Sequence, residues 1–233
     1  MRIMETWCEK GTRAISLVAA ASLVLLCGAL GAADGIGEVS IPKTGRRVDD
    51  FIPPGYRVCA RAEADFNGDG LADVAVAVES TREGEREIRP LLVLFQRPDG
   101  GFVLSARADR AVPPPETGGT HGDGFNGLEI LKNTFVIVQS GGSSTVGETR
   151  SQFRYQQGGW FLIGEKEAAV GNAGRECGGV TLKEPDFFSE SSLDTNFLTG
   201  DQIESCGTED GKVTRTRRKI PLKPLVPLEK FGY

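Results

Sequence analysis

Residues 65–73, Asp-Phe-Asn-Gly-Asp-Gly-Leu-Ala-Asp, place an oxygen-bearing side chain at every second position and then one more carboxylate. A hard cation such as Ca²⁺ takes six to eight oxygen ligands at about 2.3–2.6 Å, and a loop that alternates ligand and spacer can surround it. Gly70 permits the positive-φ turn that brings the two halves of such a loop together. We therefore predict a calcium site with five ligands: the side-chain oxygens of Asp65, Asn67 and Asp69, the carbonyl oxygen of Leu71, and the carboxylate of Asp73, directly or through water.

The segment after these donors decides which kind of loop they form. An EF-hand has a bidentate Glu at its twelfth position and a helix after it. The twelfth position here is Val76, and residues 73–78 alternate with period two and are rich in β-branched side chains, which predicts a strand. The alternative is an acidic turn without a metal, in which the three carboxylates would repel one another.

A D-x-N-x-D-G-x-x-D loop that leads directly into a strand resembles the cation loops of FG-GAP and VCBS repeats. The resemblance implies a blade-like unit over residues 57–108, with the cation loop between the first and second of four strands. Only one such loop occurs in the chain, which argues against a propeller of several similar blades.

The chain also resembles a group of uncharacterised exported bacterial proteins that carry a single loop of this kind. The segments that carry this resemblance are Arg89–Phe95, Gly122–Phe125, Phe153–Gly164 and Asn196–Gly200. The resemblance implies export and an all-β fold, and it implies no activity.

The N-terminal segment has the pattern of a secretory signal peptide. Basic residues precede the uncharged, mostly apolar run 14–26, and small residues follow it. We predict a signal peptide over residues 1–33, with cleavage after Ala33 or Gly31, and hence an exported protein, periplasmic or secreted. Cys27 raises the alternative of a lipid anchor, but Leu26 stands where a small residue is wanted. The apolar run is short for a membrane span, so we expect no span in the mature chain.

Three cysteines follow the predicted cleavage site: Cys59, Cys177 and Cys206. In an oxidising compartment two of them can pair. A Cys177–Cys206 bond would restrain a long loop rich in polar residues, and it is the pairing we favour. The pairings of Cys59 with either of the other two stay open. Cys59 lies in an apolar alternation, which favours a buried free thiol.

The rest of the chain predicts an all-β fold, because no stretch after the signal segment has helical periodicity over a dozen residues. We expect a linker or edge segment at 34–54 and one all-β domain at 55–233. Within it we predict an antiparallel meander of two roughly four-stranded sheets, at 57–108 and 127–167, followed by a C-terminal hairpin with edge strands at 192–219. Pro-Asp-Gly-Gly at 98–101 and Gln-Gly-Gly at 157–159 are hairpin signals within the two sheets.

Composition narrows the classes of partner. The 233 residues are 39% hydrophobic and 25% charged, with a net charge of −5, and no run of basic residues dominates. This argues against a nucleic-acid partner. An unidentified protein or carbohydrate ligand remains the expected partner.

The catalytic alternatives centre on His121, the only histidine, which lies two residues before Asp123 in a glycine-rich stretch. The pair could form a general base or a second metal site, but a solvated loop histidine is the commoner arrangement. No G-x-S-x-G, H-E-x-x-H, phosphate-binding loop or Cys/His ligand spacing occurs.

Three functions follow, in order of preference. The first is an exported, calcium-stabilised β-domain that acts as a non-enzymatic binding or interaction module. The second is a structural envelope protein in which the loop is a turn without metal. The third is a hydrolase that uses loop residues around His121.

Overall fold

The protein is described by a computed structural model that covers residues 40–82 and 88–232. The predicted signal peptide (1–33), its cleavage positions and Cys27 lie outside the described residues. The all-β prediction is confirmed for the part that is described: it contains fourteen strands and two short 3₁₀ helices, Val48–Phe51 and Leu228–Lys230. None of the described helical segments has the length and apolar character that crossing a bilayer requires.

Five strands form the first antiparallel sheet, in the order β1-β5-β4-β3-β2. Four of them follow one another along the chain, as the meander prediction requires, and the short N-terminal strand pairs with the last. The strands are Thr44–Gly45 (β1), Tyr56–Ala64 (β2), Asp73–Ser80 (β3), Arg89–Gln96 (β4) and Phe102–Val112 (β5).

Seven strands form the second antiparallel sheet, in the order β14-β13-β12-β9-β8-β7-β6. They are Phe125–Ile130 (β6), Phe135–Gly142 (β7), Val146–Gln156 (β8), Gly159–Val170 (β9), Glu190–Asn196 (β12), Asp201–Gly207 (β13) and Val213–Lys219 (β14).

The second sheet differs from the prediction of a four-stranded sheet with a separate C-terminal hairpin. β9 continues to Val170, beyond the segment that the sequence predicts. Its edge opposite β8 pairs with β12 from Gly164↔Asn196 to Val170↔Glu190. The hairpin is therefore part of the sheet, because an unpaired edge of this length would leave its backbone N–H and C=O groups without partners.

A small hairpin, Glu176–Cys177 (β10) and Val180–Thr181 (β11), lies in the long connection before β12. The preferred cysteine pairing is confirmed: Cys177 and Cys206 form a disulfide that ties this hairpin to β13. Cys59 is a free, half-buried thiol, and burial raises its pKa to about 11, so it is inert as a nucleophile at neutral pH.

The two sheets pack against each other through a core that is aromatic on the side of the second sheet. Trp160 is 1% exposed, and its ring lies 5.2 Å from that of Phe135 in the same sheet and 6.0 Å from that of Phe95 in β4. Its indole N–H donates a hydrogen bond to Ser105 Oγ in β5 at 3.0 Å. This hydrogen bond and the ring contacts of Trp160 together fix how the two sheets face each other.

The central strands of the first sheet, β3 and β4, are buried on both faces, and β3 is buried along its whole length. Its odd-numbered residues, such as Ala75, contact the second sheet. The even-numbered residues, such as Val76, pack under the segment that precedes β2, where Phe51 is fully buried. Residues 40–55 thus cover one face of the sheet, in addition to providing the edge strand that the sequence suggests.

This arrangement predicts that Phe51→Ala lowers the free energy of unfolding by about 3–5 kcal/mol, because it leaves a cavity against the outer face of the first sheet. Urea unfolding measures the change. Leu131→Ala, at a side chain that is 50% exposed, is the control and is expected to cost under about 1 kcal/mol. Equal effects of the two substitutions would mean that residues 40–55 are not part of the cooperative fold.

Candidate metal centre

The predicted calcium loop connects β2 to β3, and a strand rather than a helix follows it. Asp65 stabilises its first half: Oδ1 accepts hydrogen bonds from the N–H groups of Gly68 and Asp69 at 2.7 and 3.1 Å, and Oδ2 accepts one from Gly70 at 2.9 Å. Gly68 and Gly70 have φ values of +82° and +84°, a region that glycine adopts without strain. The chain therefore curls around the Asp65 carboxylate.

Two further side chains repeat this pattern. Asn67 Oδ1 accepts from the N–H of Asp69 at 2.9 Å, and Asp69 Oδ1 accepts from the N–H of Leu71 at 2.8 Å. The Asn67 amide also donates to Asp69 Oδ2 at 3.0 Å. Successive turns of this type, in which a side chain bonds to the backbone two residues on, bring the polar side chains to the exposed side of the loop.

Asp73 has a different environment from the other three donors. It is fully buried, and it accepts hydrogen bonds from the N–H of Phe66 at 3.0 Å and from the N–H of Gln96 at 2.9 Å. Burial raises the pKa of Asp73 above its usual range, and the two hydrogen bonds only partly offset that effect. Asp73 thus joins the start of the loop to the end of β4, and Gln96 reciprocates by accepting from the N–H of Ala72.

Phe66, the second residue of the loop, anchors the loop in the core. Its side chain is buried, and its ring packs edge-on against Trp160 and Phe135 with centroid distances of 5.4 and 5.9 Å. The chain therefore inserts an aromatic ring between the sheets directly after one donor and directly before the next. The conformation of the loop is coupled to the packing of both sheets.

The carboxylate and amide oxygens of the loop are ligands of the kind that a hard cation binds. Their existing hydrogen bonds limit which of them would bind it. Asp65, Asn67 and Asp69 present two carboxylates and one amide oxygen on the accessible side, and Ca²⁺ accepts such ligands together with water. Asp65 already accepts three backbone hydrogen bonds, and Asp69 accepts one from the backbone and one from the Asn67 amide, out of about four acceptor positions on each carboxylate. In this conformation Asp73 is directed to backbone N–H groups instead. The loop carboxylates do not form a tight ligand cluster.

Within the part of the chain that is described, a cluster of three acidic, His or Cys ligand atoms within 4.8 Å of one another occurs at Cys177, Glu204 and Cys206. The Sγ atoms of Cys177 and Cys206 are bonded to each other in the disulfide, so this group is not a metal site while the bond is intact.

The possible catalytic pair does not come together. His121 is exposed, whereas Asp123 accepts two hydrogen bonds from the Arg89 guanidinium, at 2.7 and 2.5 Å. Asp123 is therefore occupied by a cation and does not orient the imidazole. This geometry gives no support to a general base at His121.

An ion network with the buried pair Arg89–Glu79 at its centre accounts for Asp123, and sequence reasoning missed it. Arg89, 3% exposed, pairs with Glu79 at 2.7 Å as well as with Asp123, and Arg57 pairs with the other oxygen of Glu79 at 2.6 Å. Arg89 also donates to the carbonyl of Pro113, so it holds the 113–124 connection against the first sheet. The sequence did contain a signal for this network, because Glu79 and Arg89 lie at the ends of two otherwise apolar strands.

The network shifts both carboxyl groups in the same direction. Burial acts to raise the pKa of Glu79, but hydrogen bonds from Arg57 and Arg89 outweigh it and lower that pKa. The hydrogen bond from Arg89 lowers the pKa of Asp123, against a smaller effect of burial. Because both folded-state pKa values are depressed, the stabilisation is complete above the ordinary values of 4.5 and 3.8 and is lost as the pH falls through the folded-state values.

No known protein family matches this chain, and no curated protein is significantly similar to it.

Asp73→Ala removes the acceptor for one buried and one partly buried N–H group, and we expect it to lower the free energy of unfolding by about 2–4 kcal/mol in the presence of a chelator. Asp73→Asn keeps one oxygen and is expected to cost about half as much. Chemical denaturation measures both. An effect no larger than that of the exposed control Asp99→Ala would show that Asp73 does not hold the loop.

Arg89→Gln leaves Glu79 and Asp123 without their shared partner, and we expect a loss of about 3 kcal/mol at pH 7. The loss should shrink at pH 3, where both carboxyl groups of the variant are largely protonated. Unfolding curves at the two pH values measure it. Arg97→Gln, in an exposed pair with Asp99, is the matched control and should cost at most about 1 kcal/mol. A pH-independent loss would contradict the electrostatic account.

Proposed function

We propose that this chain is an exported, non-enzymatic binding module whose β-fold is stabilised by one structural Ca²⁺ in the 65–73 loop. The observation that carries the proposal is the position of Phe66, which is buried between the sheets while its neighbours Asp65 and Asn67 are half-buried and Asp69 is exposed. A cation that holds the donors in place also holds this ring in the core. Its binding free energy then adds to the stability of the whole domain.

The topology of the first sheet supports the likeness to an FG-GAP blade. β2, β3, β4 and β5 are consecutive and antiparallel, and the donor loop connects the first two. β1 on the outer edge and the seven-stranded second sheet are departures from a propeller of repeated blades. We infer a single blade-like sheet that packs on a sheet of another kind.

Export is supported by the signal-like N-terminal sequence together with the Cys177–Cys206 bond. Disulfides persist mainly in oxidising compartments outside the cytosol. The ligand of such a module would be a protein or a carbohydrate, and the negative net charge makes a nucleic acid the wrong class.

A second candidate, a structural envelope protein without metal, is favoured by one observation. The loop satisfies its own polar groups: Asp65, Asn67 and Asp69 all accept backbone hydrogen bonds within it. Such a loop can persist without an ion. A hydrolase is the least supported function, because His121 and Asp123 have separate environments.

Calcium binding is tested by calorimetric melting in chelator and in about 10 mM Ca²⁺. Extracellular calcium modules bind with Kd of about 10⁻⁴–10⁻³ M, and free ligand at a hundred times Kd stabilises by about 2.7 kcal/mol. We expect the melting temperature to rise by about 5 °C. Mg²⁺ should have less effect, because it demands octahedral geometry and dehydrates reluctantly.

Asp69→Asn is the informative variant, since its amide oxygen can still accept from Leu71 while one carboxylate donor is lost. We expect it to abolish most of the calcium-dependent rise, and Asp65→Asn to do the same with an added loss of stability in chelator. Asp99→Asn, in a different turn, should retain the full rise. A wild-type chain that is indifferent to Ca²⁺ would favour the metal-free envelope protein, and an unaltered rise in both loop variants would place the ion elsewhere.

A further inference from the structure

The C-terminal segment 220–227 forms an arch that is fixed at both ends and open in the middle. At one end the N–H of Ile220 donates to the carbonyl of Gly200 at 2.8 Å, and at the other the N–H of Leu162 donates to the carbonyl of Val226 at 2.9 Å. Leu228, directly after the arch, is fully buried. The arch is therefore attached to the second sheet at both of its ends.

Gly200 lets the arch pass this close to the β12–β13 turn. Its φ is +72°, and a Cβ there would lie 2.5 Å from the carbonyl oxygen of Ile220. Proline at 221, 224 and 227 stiffens the segment and removes three backbone donors from it. The arch is thus pre-formed, and it needs no ligand to define its course.

A cavity of about 410 Å³ lies between the arch and the sheet. Its walls are almost entirely apolar, with Leu162 and Phe197 on the sheet side and Ile220, Leu222, Leu225 and Val226 on the arch side. The volume falls within the range of about 300–1,000 Å³ that is typical of small-molecule sites. Leu222 and Val226 remain 64% and 41% exposed, so apolar surface at the rim is available for burial by a ligand.

One cationic side chain interrupts this apolar lining. Lys223 borders the cavity and has no ion-pair or hydrogen-bond partner among the described residues. Lys223 is the charged residue of the cavity lining, so the edge of the cavity carries a positive charge, although the whole chain is negative.

We propose that this cavity binds a free long-chain carboxylate, with the alkyl chain between Leu222 and Phe197 and the carboxylate at Lys223. An apolar cavity with one unpartnered ammonium group at its edge complements an amphipathic anion in both shape and charge. The proposal goes beyond the calcium-stabilised module and does not depend on the loop at 65–73.

Titration calorimetry with decanoate, below its micellar concentration, tests the proposal on the full mature chain. We expect decanoate to bind with a one-to-one stoichiometry and at least tenfold more tightly than decanol or decyltrimethylammonium. Decanol binding as tight as decanoate would remove the role of the charge. Absence of decanoate binding would overturn the proposal, and so would binding to phosphatidylglycerol vesicles without binding to decanoate.

Two exposed substitutions locate the site without endangering the fold. Lys223→Gln should weaken decanoate at least tenfold and leave decanol unchanged, with Lys166→Gln as the control on another surface. Leu222→Ser should weaken both ligands, with Leu131→Ser as its control. Binding that survives both Lys223→Gln and Leu222→Ser would mean that the ligand sits elsewhere.

The same titrations in chelator and in Ca²⁺ separate this proposal from the calcium site. We expect decanoate affinity to change less than twofold between the two conditions, and the calcium-dependent rise in melting temperature to persist in the Lys223→Gln variant. A protein that binds decanoate and is not stabilised by calcium would support the decanoate proposal and contradict the calcium proposal. A protein that is stabilised by calcium and does not bind decanoate would overturn the decanoate proposal and leave the calcium proposal in place.

Discussion

The fold depends on the packing of the Phe66 ring between two sheets whose shared core also contains the rings of Phe135, Phe153 and Trp160. The ring belongs to a polar loop, but it contacts Trp160 and Phe135 edge-on and lies in the common core. Because aromatic side chains bury large areas and prefer defined geometries, the loop cannot rearrange freely while the sheets stay packed. The conformation of the 65–73 loop at the surface is in this way tied to the packing of the protein interior.

The buried carboxylate of Asp73 ties the loop to the interior at a second point. It accepts hydrogen bonds from the loop and from β4 at the same time, so the loop is closed at its far end by a group inside the protein. Carboxylates that look equivalent in sequence consequently differ in environment. Asp69 is exposed and Asp65 is half-buried, whereas the buried Asp73 holds the end of the loop against β4.

Burial of the central strands β3 and β4 on both faces explains two further features. Strands that have no face in water must hold their charged residues in pairs, and Glu79 and Arg89 satisfy this with Asp123 and Arg57. The segment that precedes β2 covers the outer face through Phe51 and Val48. The second sheet is covered in part at its C-terminal strands: the β10–β11 hairpin packs on β13 through the Cys177–Cys206 bond, whereas β14 and the arch remain largely exposed.

Period-two alternation, turn residues and the donor spacing were enough to predict the all-β class, most strands of both meanders and the strand after the loop, because these depend on neighbours along the chain. Spacing also favoured Cys177 and Cys206 as partners. The extension of β9, the union of the hairpin with the second sheet and the different roles of Asp69 and Asp73 were decided by tertiary structure. Edge pairing and burial join residues that are distant in sequence, such as Gly164 with Asn196 and Asp73 with Gln96, and no local pattern encodes that distance.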